Sequence, residues 1–213
     1  APAQQARKPK PKPAPPRETA LSDDPTPALQ PQTFFTTAKA ADRYRQIVEA
    51  GGWPIVGVSL RPGAKGPAIS ALRKRLAAED DSVADPTKQK WDADLTAAVK
   101  RFQFRMGLKQ TGVVAGATLR ELDVPAETRF RQLDSTARRL TALEFAFGPR
   151  YIVVNIPSTA VDAVEDDRVT RRYAAIVGDL EHHSPELQAK VVAVNINPTW
   201  TVPASIIKNE IAP

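Results

Sequence analysis

The feature that most constrains this chain is a change in the period of its apolar residues near Gly148. Before that point they recur every three or four positions. Leu95, Val99, Phe102 and Met106 stand at i, i+4, i+7 and i+11, and Phe130, Leu133, Ala137 and Leu140 at i, i+3, i+7 and i+10. From Tyr151 onward, short runs rich in Val and Ile take over. A helical front half therefore meets a β-rich back half, an α+β arrangement with the two kinds of element segregated along the chain.

The spacing predicts a helix over 38–50, with Ala41, Tyr44, Ile47 and Val48 on one face and Gly51-Gly52 as its stop. A second helix starts after Gly66, with Ala68, Ile69, Leu72 and Leu76 inward and the run Arg73-Lys74-Arg75 largely turned to solvent. A third runs from about Asp92 to Met106 and is closed by Gly107. A brief helix carries Thr118, Leu119 and Leu122, and Pro125 opens the last. Strands are expected over 151–156, 160–164, 169–177 and 191–196. Asp166-Asp167 reads as a hairpin turn in preference to a general acid and base. Trp53 and Trp91 are assigned to packing.

Residues 1–33 hold nine of the 20 prolines and no Val, Ile or aromatic residue, too little apolar surface to offset the entropy of ordering. Residues 1–37 are therefore expected to be a disordered, Pro-rich basic tether, stiffened by its Lys-Pro repeats. The same tail explains the charge. Arg7, Lys8, Lys10, Lys12 and Arg17 supply five of the net six positive charges, which leaves the rest of the chain at +1. Such a body lacks the clustered cations that nucleic-acid binding requires, and no nucleic-acid partner is expected. With no Cys there is no disulfide framework, no Cys-bearing metal site and no thiol nucleophile in these 213 residues. No run of about 18 apolar residues marks a transmembrane helix. The chain starts with Ala in place of an initiating Met, as a processed or excised chain would.

Residues 62–122 resemble a small three-helix peptidoglycan-binding domain. The likeness is carried by Pro62-Gly63-Ala-Lys-Gly66, Ile69 with Leu72 and Leu76, Ala98-Val99-Lys-Arg-Phe102-Gln103, Gly107-Leu108, Gly112-Val113 and Thr118-Leu119 with Leu122. Phe102 is expected to fill the core, and Gln103 either bonds across the domain or stands on the helix surface. The flanks Arg43-Tyr44-Arg45 to Gly51-Gly52-Trp53-Pro54, Tyr151 to Pro157, Ile176-Val177-Gly178 and Asn197 to Pro203 resemble the large periplasmic L,D-transpeptidases. The resemblance implies a peptidoglycan-binding domain at 62–124, preceded by a leading helix and linker at 38–61. A scaffold helix at 125–148 and the first strands of a catalytic domain at 149–213 follow. It also implies a bacterial envelope or periplasmic protein whose partner is peptidoglycan, with envelope proteins as further candidates, and chemistry without a metal or cofactor.

In that family a thiolate attacks a stem-peptide carbonyl, a D-alanine leaves, and an amine resolves the thioester. The family's Ser-His-Gly-Cys segment and upstream His have no counterpart here, so no catalytic residue is assigned and the chain alone is expected to be inactive. His182 and His183 do not match the catalytic His; adjacent side chains tend to diverge, which favours exposed histidines over a metal site. Trp200, between Pro198 and Pro203, is the one substrate-groove candidate, with ordinary packing as its alternative. The absence of Cys leaves open a second class, a non-enzymatic wall-binding or scaffold protein. The short β segment argues against it, because it would leave an open sheet edge.

Overall fold

The computed structural model describes residues 19–79, 83–179, 181–199, 201–202, 204 and 207–208. Among these, five helices precede three strands: α1 (Thr33–Glu49), α2 (Pro67–Ala77), α3 (Ala93–Arg105), α4 (Gly116–Leu122), α5 (Ala126–Leu140), β1 (Arg150–Asn155), β2 (Ala160–Glu165) and β3 (Arg168–Ala174). The chain divides into two units, residues 1–177 and 178–213.

The core of the first unit lies among α2, α3 and α4, where Ile69, Leu72, Leu76, Leu95, Val99, Phe102 and Leu122 are all excluded from solvent. Pro67 opens α2, where its missing N–H removes no helical bond. The Asp92 side chain caps α3 by accepting the Leu95 N–H at 3.0 Å, and Gly107, at φ 65°, lets the chain turn out of that helix. Paired hydrogen bonds between Leu60 and Val114, at 2.8 and 2.9 Å, tie the two flanking loops together. Phe102 thus occupies the centre that the spacing predicts.

Arg73 and Arg75 contradict the expectation of a solvated charge run. They are 1% and 0% exposed. Arg73 stands four residues after Ile69 and so shares its face of α2, while Arg75 has a carboxylate one turn on at Glu79. Inward position and an available counter-charge together override the general preference of arginine for the surface.

Helix α1 starts five residues earlier than predicted. The stripe of Phe34, Thr37, Ala38 and Ala41 continues the i, i+3, i+4, i+7 pattern backward, and α1 packs along α5, so tertiary contact compensates for the modest helix propensity of Thr and Phe. The tether expected through residue 37 therefore does not describe residues 19–37. Ahead of α1, residues 19–32 form an arm along the sheet: Val169 N–H donates to Pro25 O at 2.8 Å, and Tyr151 Oη to Leu29 O at 3.0 Å. Composition missed this because the arm is held by its backbone, which needs few apolar side chains.

The sheet is an antiparallel meander in the order β1-β2-β3, with Arg150 opposite Glu165 and Glu165 opposite Arg168. Asp166 and Asp167 make the two-residue turn with φ 48° and 59°, the left-handed pair that matches strand twist. The third strand ends at Ala174, short of the predicted Val177. In the second unit, residues 191–196 form no strand. Val192, Val194 and Ile196 are each at least 80% exposed, and a strand without a hydrogen-bonded neighbour has nothing to stabilise its extended backbone.

Candidate functional site

Three side-chain constellations organise the first unit. Within the helical domain, Gln103 is wholly buried: its Nε2 lies 3.0 Å from Thr111 Oγ1, Val113 O and Thr118 Oγ1, and its Oε1 accepts the Gly112 N–H at 2.9 Å. Of the two readings of Gln103, the cross-domain bond is the one adopted. One amide pins the 107–118 loop to α3, and burial makes each of those bonds expensive to lose. Arg73 is held by Asp92 at 2.6 Å. The Lys88 hydrogen bond, the Leu95 N–H and Arg73 together keep the Asp92 carboxyl far below the usual carboxylate range.

The second constellation joins the helical domain to its scaffold. Arg75 donates to Glu79 at 2.8 Å and to Leu122 O at 2.7 Å, and its guanidinium lies 3.8 Å from the centre of the Trp53 ring. Glu79 also accepts from Arg105 at 2.7 Å and from the Tyr44 hydroxyl. Burial acts to raise the Glu79 carboxyl, but Arg75, Tyr44 and Arg105 outweigh it and hold the group below the usual range. Burial, reinforced by Glu79, pushes the Tyr44 phenol up to about 12. Trp53 Nε1 donates to Val124 O at 3.0 Å and Trp91 Nε1 to Thr96 Oγ1 at 2.7 Å, so both indoles serve packing.

The third constellation fastens the arm. Arg172 Nε lies 2.6 Å from Asp162, which is 2% exposed, and the same guanidinium donates to the carbonyls of Ser22 at 2.7 Å, Asp24 at 2.9 Å and Thr26 at 3.2 Å. Asp162 in turn accepts the Ala28 N–H at 3.0 Å. Burial acts to raise the Asp162 carboxyl; the hydrogen bonds from Arg172 and Ala28 outweigh it and hold the group low. At its other end the arm reaches the helical domain through Ala20 N–H to Gly107 O at 2.9 Å. Between the arm, the end of α3 and the β1–β2 turn lies a cleft of about 710 Å3.

In the sequence Arg75 stands only in the charge run expected to face solvent, and Arg172 in no motif. The Arg75–Glu79 spacing and the shared strand parity of Ala160, Asp162 and Val164 were the available signals. Of the other sequence candidates, Trp200 lies outside the described residues. His182 and His183 are exposed, with His182 Nδ1 3.3 Å from Asp179 in a local turn. Asp166 and Asp167 form the hairpin turn between β2 and β3. Among the described residues no three His, Asp or Glu side chains group as metal ligands, and no helix is long and apolar enough to cross a membrane.

Comparison with known families agrees with this layout. Residues 65–122 match the family model described as "Putative peptidoglycan binding domain", and residues 149–213 match the L,D-transpeptidase catalytic domain model. No curated protein matches the chain. Both domain types are related to the cell wall, which places the chain in the cell envelope. The chain thus combines a peptidoglycan-binding domain with a region of the L,D-transpeptidase catalytic-domain family, and it contains no cysteine.

Proposed function

We propose that residues 62–124 attach the chain to peptidoglycan and that residues 149–213 belong to the catalytic region of an L,D-transpeptidase. Such an enzyme cross-links or modifies stem peptides through a cysteine acyl-enzyme, in the periplasm. The tandem order of the two matched families carries this reading. The nucleophile is not among these 213 residues, so the chain by itself contributes wall attachment and part of a substrate region, with Trp200 as the candidate wall of the acyl site. The absence of Cys also favours a second reading, a non-enzymatic wall-binding or scaffold protein that meets other envelope proteins. The full 213-residue chain should sediment with insoluble peptidoglycan. It should form no acyl adduct with a carbapenem in an intact-mass measurement, because no thiolate is available. Failure to sediment removes the attachment role, and an adduct overturns the assignment of chemistry to a missing cysteine.

A further inference from the structure

The 710 Å3 cleft draws its walls from both matched families: Met106 and Gly107 come from the peptidoglycan-binding domain, and the segment Asn155 to Asp162 from the L,D-transpeptidase region. We propose that this cleft holds a stretch of the uncharged glycan backbone of peptidoglycan, an inference that rests on the wall-attachment role proposed above. Its volume lies within the roughly 300–1,000 Å3 of sites that enclose small ligands, and clefts at domain junctions are common places for them.

The lining chemistry selects the glycan over the peptide. Among the described residues lining the cleft, Asp162 and Arg172 are the ionisable ones, and both are consumed by each other and by the arm backbone. No charge is left over for the carboxylates and amine of a stem peptide, whose burial unpaired would be costly. What remains is neutral: the Ser22 hydroxyl, which accepts the Asp24 N–H at 3.1 Å and keeps its own proton to donate, the Ser158 hydroxyl, which donates to Asn155 O at 3.3 Å and can still accept, the Thr159 hydroxyl and the Asn155 amide, beside the apolar Leu21 and Met106. Asn155 Oδ1 accepts the Ser158 N–H at 3.2 Å, and its amide nitrogen has no protein partner among the described residues. Sugar hydroxyls and acetamido groups match such donors and acceptors, and acetyl methyls suit the apolar side. The arm wall is held in place by Arg172, so little ordering remains to be done on binding.

The test is a titration of the 15N-labelled full chain with chitotetraose, four β-1,4-linked N-acetylglucosamines, followed by amide chemical shifts. Saturable shifts are expected at Ser22, Met106, Gly107, Ser158 and Thr159. Ser158 is exposed on its turn, so Ser158→Trp should block the cleft mouth, weakening binding by about tenfold or more, with the helical-core shifts unchanged. Shifts that map elsewhere, or none, overturn the proposal. So does a cleft that answers to a free stem tetrapeptide and not to chitotetraose. Sedimentation with insoluble peptidoglycan, run in parallel, separates the two levels. A chain that sediments with a silent cleft loses the glycan site and keeps wall attachment. A chain that fails to sediment while the cleft responds keeps the glycan site and loses the attachment role of residues 62–124.

Discussion

The helical domain and the three-stranded sheet both bury an arginine against a carboxylate, but to different ends. In the helical domain, Arg75 on α2 and Glu79 in the turn just after it lie four residues apart, next to a core that already contains Phe102, Leu72 and Leu95. Their bonds to Tyr44, Arg105 and Leu122 O add specificity to a domain whose stability comes from apolar burial. The sheet has no comparable core. On one face Ile152, Val154 and Tyr173 are each more than half exposed, and the other face is covered by an arm about 140 residues away in sequence, held by Arg172 and Asp162 through backbone groups. A closed core tolerates charge as an addition, whereas a small open sheet depends on a distant segment to complete it.

The strongest way to break this contrast is Phe102→Ala. Removing a fully buried ring should cost about 3–5 kcal/mol, unfold residues 62–124 and abolish peptidoglycan sedimentation, whereas Arg101→Ala on the exposed side of α3 should do neither. Thermal melts of the two variants that coincide would refute the core assignment.

Glu79→Leu comes next, because it leaves Arg75 buried without its counter-charge. A loss of about 3 kcal/mol is expected from chemical denaturation. The same carboxylate contributes to the acid response, alongside Asp92 and Asp162. Its folded pKa lies below its ordinary value of 4.5, so its contribution is present above that value and lost as pH falls through the folded one. The Tyr44 phenol runs the other way: stability should decline as pH rises from its ordinary 10 toward about 12, since only the unfolded chain ionises there. A Tyr44→Phe variant should weaken the alkaline decline, to which the raised Tyr151 phenol also contributes, and keep the acid one.

Arg172→Gln should release the arm while sparing the helical core. The expected result is new protease cleavage within residues 19–30, with the melt of residues 62–124 unchanged. Continued protection would show that the arm does not depend on this guanidinium. The smallest effect is expected from Asp167→Gly. Glycine adopts φ 59° at no steric cost, so the hairpin should gain a few tenths to about 1 kcal/mol, visible as slower amide exchange across β2 and β3.

Much of the helical domain was legible because its signals are local. Gly66, Asp92, Gly107 and the apolar stripe of α3 mark starts, stops and an inward face within a few turns of chain. The Asp166-Asp167 turn was legible for the same reason, since two residues between two alternating runs leave few conformations. The arm was not legible, because its bonds join Ser22, Asp24 and Thr26 to Arg172 across some 150 positions and involve backbone carbonyls that every residue carries. The Val191 to Ile196 segment misled for the opposite reason: strand-like composition records a preference, and the hydrogen bonds that realise it must come from a neighbour.

The sequence by itself determined the order of the five helices, the place of the hairpin, that Phe102 is central, and that these 213 residues carry no thiol, because periodicity, turn residues and the absence of Cys are properties of local chain. Only the tertiary structure decided that Arg73 and Arg75 are buried, that the half-buried Arg172 holds the arm, that Gln103 pins a loop, and that the arm, α3 and the β1–β2 turn enclose a cleft. Each of these depends on the partner that a polar group meets once the chain is folded, and a buried charge is stable only when a counter-charge or carbonyl arrives from elsewhere in the chain.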